Sequence, residues 1–241
     1  MSLKKSEKPG DKSNKNIEEI KDFSIRFTRS DKILVAAILI VIMLFALFIG
    51  GYWLVKNKHV KTIDELHQDN MKGKLSKDEG YLYNGYSFVK ANGMWFTQIQ
   101  KFRTNNLYNV QFHYGPRDLE DVPLSGNVSD FIALNGTYVA FDPTEKDLAY
   151  TALASGELSI NLGQVFNILP VAACSKNETV ACQTRPIVNC SNTNRPVIYM
   201  ERSDKAAVIK ENNACIRIMG NGTGIVKATD RLLYEWFGIM K

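Results

Sequence analysis

Residues 33–55 read ILVAAILIVIMLFALFIGGYWLV, 23 positions without a charge, between Asp31-Lys32 on one side and Lys56-Asn57-Lys58 on the other. At about 1.5 Å per residue this makes roughly 34 Å of helix, a match for a hydrocarbon core of about 30 Å. The core helix of a soluble domain shows one apolar stripe and seldom carries more than about 14 continuous apolar residues. The stretch therefore reads as a transmembrane helix, with Tyr52 and Trp53 at headgroup level. A cleaved signal peptide is the rival, but its apolar region runs about 7–15 residues behind a short basic segment, whereas this one follows 32 polar residues. No later stretch is comparable, since Asn167 to Cys174 (NILPVAAC) is too short to cross. The expectation is a single-pass protein held by a signal-anchor, with membrane lipid as the partner of that helix.

Orientation does not follow from charge alone. Within twenty residues of the span, Lys15, Lys21, Arg26, Arg29 and Lys32 on one side face Lys56, Lys58, Lys61, Lys72 and Lys74 on the other. Two features of the C-terminal side decide it. All four cysteines, Cys174, Cys182, Cys190 and Cys215, fall there at spacings of 8, 8 and 25. An even, clustered set suits disulfides in an oxidising compartment, with Cys174–Cys182 and Cys190–Cys215 the expected pairing among three connectivities. The same side carries the triplets Asn127-Val-Ser, Asn135-Gly-Thr, Asn177-Glu-Thr, Asn189-Cys-Ser and Asn221-Gly-Thr. Asn127, Asn135, Asn177 and Asn221 are the candidate glycosylation acceptors, and Asn189, beside a cysteine, is the poorest. The N-terminus is thus expected in the cytoplasm and the C-terminal part outside, at the cell membrane.

The whole chain has 241 residues, 45% of them hydrophobic, and a net charge of +5, figures that on average describe a mildly basic soluble domain. Partition changes this. Residues 1–32, a basic tail, hold nine Lys/Arg against six Asp/Glu, and Ile17, Ile20, Phe23 and Phe27 recur there at near-helical intervals. Residues 56–80 form a charged stalk in which Thr62-Ile-Asp-Glu65 has the spacing of a capping box, so a short helix is expected to start there and end near Gly73. His59 and His67 of this stalk read as solvated. Residues 81–241 remain for one outer domain with 15 Lys/Arg and 14 Asp/Glu, which offers no electrostatic footprint for nucleic acid.

That outer domain reads as α+β, with antiparallel sheet and about two amphipathic helices. Strands are expected over 81–90, 94–102 and 107–114, with Asn92-Gly93 as a hairpin turn. In the third, Tyr108, Val110, Phe112 and Tyr114 alternate with Asn109, Gln111 and His113, which puts His113 on the polar face. A strand over 137–141 precedes Asp142-Pro-Thr-Glu145, a helix-start pattern expected to open a helix running to Phe166. Strands over 197–200, 206–210 and 214–219 then lead to a terminal amphipathic helix from Ile225, with Lys227, Asp230, Arg231 and Glu235 mostly off its apolar face.

The motifs of catalysis are missing. Gly220-Asn-Gly222-Thr-Gly224 lacks the sixth-position glycine and the second strand of a dinucleotide site, so it reads as a turn. No G-x-S-x-G, H-E-x-x-H or C-x-x-C occurs. The carboxylates Asp118, Glu120, Asp121, Asp142, Glu145 and Asp147 have no spacing that argues a pair, and Tyr83, Tyr86, Trp95 and Tyr108 are core aromatics or a partner surface. No metal, cofactor or catalytic residue is assigned. The leading expectation is a binding or assembly domain on a membrane anchor, an accessory subunit with a protein partner in the membrane or envelope. The alternative is a tethered extracytoplasmic hydrolase of envelope or glycan material, which requires His113 or Asp142 to meet a second titratable group in a concave pocket.

Overall fold

The computed structural model describes residues 28–56, 60–100, 107–133, 136–146 and 148–241, which form two units divided between Val60 and Lys61. The first contains α1 (Arg29–Lys56), a helix of 28 residues that is exposed from Arg29 to Trp53. Its Arg29–Trp53 portion is long and apolar enough to cross a membrane by length and composition. Thr28 caps it: its Oγ1 accepts the Asp31 N–H at 3.4 Å, while its own backbone N–H donates back to the Asp31 carboxylate. The tail positions Ile17, Ile20, Phe23 and Phe27, and also His59, lie outside the described residues.

The second unit opens with α2 (Ile63–Met71), whose N-terminus is the capping box expected from Thr62 and Glu65. Part of the stretch read as a stalk is therefore built into the domain. Asn70 donates through Nδ2 to the carbonyls of Tyr81 and Phe88, and His67 lies buried with Nδ1 2.9 Å from Ser87 Oγ. The sheet beneath α2 is antiparallel, in the order β1 (Gly80–Tyr83), β2 (Tyr86–Ala91), β3 (Met94–Gln100), β4 (Leu107–Phe112). The single strand expected over 81–90 is in fact a hairpin. Asn84 and Gly85 both take positive φ, as Asn92 and Gly93 do in the next turn, and that backbone twist is what a two-residue hairpin requires.

The second sheet is mixed. Its order is β5 (Leu124–Ser125), β9 (Ala207–Asn212), β10 (Cys215–Gly220), β8 (Val197–Arg202), β6 (Thr137–Phe141), β7 (Pro170–Cys174). Only β9 and β10 pair antiparallel, while β6 runs parallel to both β7 and β8, and β8 to β10. The strands β5 and β7 were not legible in the sequence: one is two residues long, and the other contains a proline at its start, tolerated on a sheet edge.

Two helices lie against this sheet. The expected start at Asp142 is corrected: α3 spans Leu148–Asn161 and continues as one wide turn through Phe166. Asp142 instead closes a local turn, its Oδ1 accepting from the N–H and hydroxyl of Thr144, while its other oxygen meets Lys176 at 2.6 Å. These bonds draw the side chain into a loop beyond β6 rather than over a helix N-terminus. The last helix, α4 (Thr223–Trp236), is less amphipathic in place than in pattern. It packs on β8, β9 and β10 while Tyr234 meets Phe88 and Phe112 of the first sheet, so its polar positions Asp230 and Arg231 are buried as well. A helix between two sheets must have both faces accommodated, and one polar stripe here is taken up by specific partners.

The expected disulfides, Cys174–Cys182 and Cys190–Cys215, are both present. They tie the segment 174–196 to β7 and β10, over a small satellite core of Ala140, Ala173, Val188, Val197 and Cys215.

Candidate functional site

The end of β4 is where chain chemistry converges. Phe112 is fully buried, and the two residues after it are stitched to α4: Tyr114 N–H donates to Asp230 Oδ2 at 2.9 Å, and Tyr234 donates its hydroxyl to the Tyr114 carbonyl at 2.7 Å. Residues 230 and 234 are one helical turn apart, so both reach the same segment. This anchorage turns His113 away from the solvated polar face expected of it and onto α3. Its Nδ1 lies 2.6 Å from Glu157 Oε2. The His113 side chain is 27% exposed, the Glu157 side chain 6%.

Behind the pair stands Asp230, completely buried. Glu157 Oε1 and Asp230 Oδ1 are both buried without a hydrogen-bond partner among the described residues, and the two carboxyl groups and the His113 backbone N–H are close enough to influence one another. Two buried carboxyl groups this close repel one another when both are charged, which favours retention of a proton in the pair. Burial, together with the charge of Glu157, pushes Asp230 well above the usual carboxylate range. Burial also raises Glu157, but His113 works against that rise. Asp230 is the member of the pair pushed harder toward its protonated form, which leaves Glu157, with His113 beside it, the better placed to carry negative charge.

His113 and Glu157 line a cleft of 470 Å³. Residues 108–111 of β4 all line it, and so do Leu153, Gly156 and Ile160 of α3. Successive side chains of a strand point to opposite faces of its sheet. Four consecutive lining residues thus place the cleft along the open edge of β4, which is the last strand of its sheet and, among the described residues, pairs with β3 alone. Leu153 and Ile160 are exposed, and a side chain at Gly156 would meet nothing within 4 Å. The amides of Asn109, Gln111 and Gln164 supply the polar part of the lining.

The other sequence candidates are dispersed. Asp118 accepts the Gly115 N–H as a local turn cap, Glu145 accepts the Arg202 N–H, and Asp147 lies outside the described residues. Trp95 is buried and Tyr83 and Tyr86 pack on the main core, whereas Tyr108 lines the cleft. Asn127, Asn177 and Asn221 are exposed, Asn189 is half-buried with Oδ1 bonded to Ser191, and Asn135 lies outside the described residues. Gly220 ends β10 against the start of α4, and a Cβ there would collide with the backbone of Gly224 and Ile225, a packing role for that glycine. Among the described residues no group of three His, Cys, Asp or Glu is placed to hold a metal ion.

Glu157 and Asp230 were not singled out from sequence. One signal was available: Glu157 is the only charged residue among the 14 of LAYTALASGELSIN, and a lone carboxyl in an apolar helix needs a partner. Comparison of the chain with protein-family models, with curated proteins and with solved structures finds no match.

Proposed function

We propose that the chain is a single-pass membrane protein, N-terminus in the cytoplasm, whose disulfide-stapled outer domain works by binding an extended segment of a partner protein, as an accessory subunit of a membrane complex. The observation that carries this is the cleft along the open edge of β4. An unpaired edge offers a row of backbone donors and acceptors, and an incoming strand satisfies them while alternate side chains enter the apolar space beside α3. The long apolar stretch of α1, uncharged over 33–55, and the pair of disulfides in the other unit support the anchor and the outer location.

Two experiments test it. The full chain with a photo-crosslinking residue at Leu153 is expected to give one discrete adduct in intact cells, absent when the probe is at Lys210 of β9 and absent when Gly156→Trp fills the cleft. Adducts indifferent to both changes would sink the reading. For the anchor, a cysteine introduced at Ser13 is expected to react with a membrane-impermeant maleimide only after the cells are opened; labelling in intact cells reverses the orientation.

The tethered-hydrolase reading retains one favouring observation, the His113–Glu157 pair in the cleft lining. Under that reading His113→Asn abolishes turnover of an envelope or glycan substrate while leaving the Leu153 adduct in place.

A further inference from the structure

His113 presents two nitrogens to two different surroundings. Nδ1 is held by Glu157 at 2.6 Å, and Nε2 has no hydrogen-bond partner among the described residues. A charged carboxylate accepts and does not donate, so the neutral imidazole must keep its proton on Nδ1. Asp230, deeper in the same network, is pushed toward its protonated form by burial and by Glu157, which leaves Glu157 Oε2, 2.6 Å from the ring, as the acceptor of the Nδ1 proton. Asp230 is fixed by the Tyr114 N–H, and Tyr114 by the Tyr234 hydroxyl. The chain of contacts thus orients one ring and fixes its tautomer.

From this geometry we infer that Nε2 of neutral His113 is a hydrogen-bond acceptor built into the cleft, and that it selects a hydroxyl-bearing side chain, Ser, Thr or Tyr, on the bound segment. The inference rests on the edge-strand reading of the cleft and names the partner's chemistry there. Main-chain N–H groups of an added strand are taken up by the β4 edge, which ends at Phe112, so His113 lies just past the strand and meets a side chain. Carboxylates and phosphates are disfavoured by the Glu157 charge behind the ring. A lysine or arginine would lose hydration in a cleft lined by Val110, Leu153 and Ile160, a much larger cost than removing a hydroxyl from water. Glu157 and Asp230 act through His113 and are positioning residues.

The sequence holds three histidines, so ¹⁵N-histidine labelling of the full chain in lipid nanodiscs resolves each ring. In alkaline buffer the His113 Nδ1 is expected to be protonated and its Nε2 bare, the reverse of the common tautomer. Glu157→Leu is expected to lose that preference and Glu157→Gln, whose side-chain carbonyl still accepts, to restore it. A wild-type ring protonated on Nε2 overturns the inference without any variant. Ligand choice is read by panning a random-peptide phage library on the nanodisc-held chain. Enriched sequences are expected to alternate apolar residues and to carry Ser, Thr or Tyr at one fixed position, with roughly tenfold weaker binding to His113→Phe. Enrichment of acidic or basic residues at that position, or of none, overturns the hydroxyl assignment. Failure to enrich anything over the Gly156→Trp chain refutes the cleft reading itself, whichever tautomer is found.

Discussion

Three buried titratable side chains set how stability responds to pH, and they act in opposite directions. His67 is held below its ordinary value of 6.5 by burial. As pH falls through that value the unfolded chain takes up a proton before the folded one does, so the stabilisation present above it is lost on acidification. Asp230 has the reverse sign: its folded-state value is raised above 3.8, the folded protein binds the extra proton, and stability declines as pH rises from there through the raised value. Glu157 contributes in the same sense as Asp230. Replacing Asp230 by Asn keeps the carbonyl oxygen that accepts the Tyr114 N–H and supplies a permanent donor to Glu157. We expect D230N to unfold at equal or higher urea than wild type at neutral pH and to lose the decline on the alkaline side of the carboxylate range, measured as the urea midpoint against pH. A lower midpoint at neutral pH would mean that Asp230 is ionised in the folded state. The lone charge at Glu157 was visible in the sequence, but its partners were not: Tyr114 and Asp230 are 116 positions apart and His113 and Glu157 44 apart.

Elements were legible to the extent that local chemistry determines them. The capping box at Thr62, the alternation in β4 up to Phe112 and the Asn92-Gly93 turn all act within a few residues and are found as expected, whereas His113, beyond the strand's end, departs from the pattern. The Asp142 helix start failed because Thr144 and Lys176 compete for that carboxyl group, and Lys176 comes from the far side of β7. Glycines inside elements make two opposite predictions. Gly156 sits in α3 with open space where a Cβ would be, so Gly156→Ala is expected to raise stability by about 0.5–1 kcal/mol through helix propensity. Gly220 lies where β10 turns tightly into α4, so Gly220→Ala is expected to cost about 3 kcal/mol by forcing that junction apart. Thermal denaturation of both variants checks the contrast, and equal effects would mean that the β10–α4 junction yields to a methyl group.

For the molecule as a whole, two sheets share one central helix, and the disulfides hold the outer flank of the second sheet. Cys190–Cys215 joins residues 25 apart and Cys174–Cys182 joins residues 8 apart. The longer closure restrains the unfolded chain more, so the Cys190→Ala, Cys215→Ala double variant is expected to lose about 3 kcal/mol and the Cys174→Ala, Cys182→Ala variant less. Denaturant midpoints of the two variants test the order. The amino-acid sequence by itself determined the long apolar helix, the clustering of an even set of four cysteines, the α+β class and most strand positions, because each depends on length, spacing or periodicity along the chain. Only the tertiary structure decided that the second sheet is mixed, that α4 is enclosed on both faces, and that His113, Glu157 and Asp230 meet beside a cleft. Periodicity tells which side of an element seeks cover. It carries no information about which distant element provides it, and strand direction and buried polar partnerships depend on that second fact.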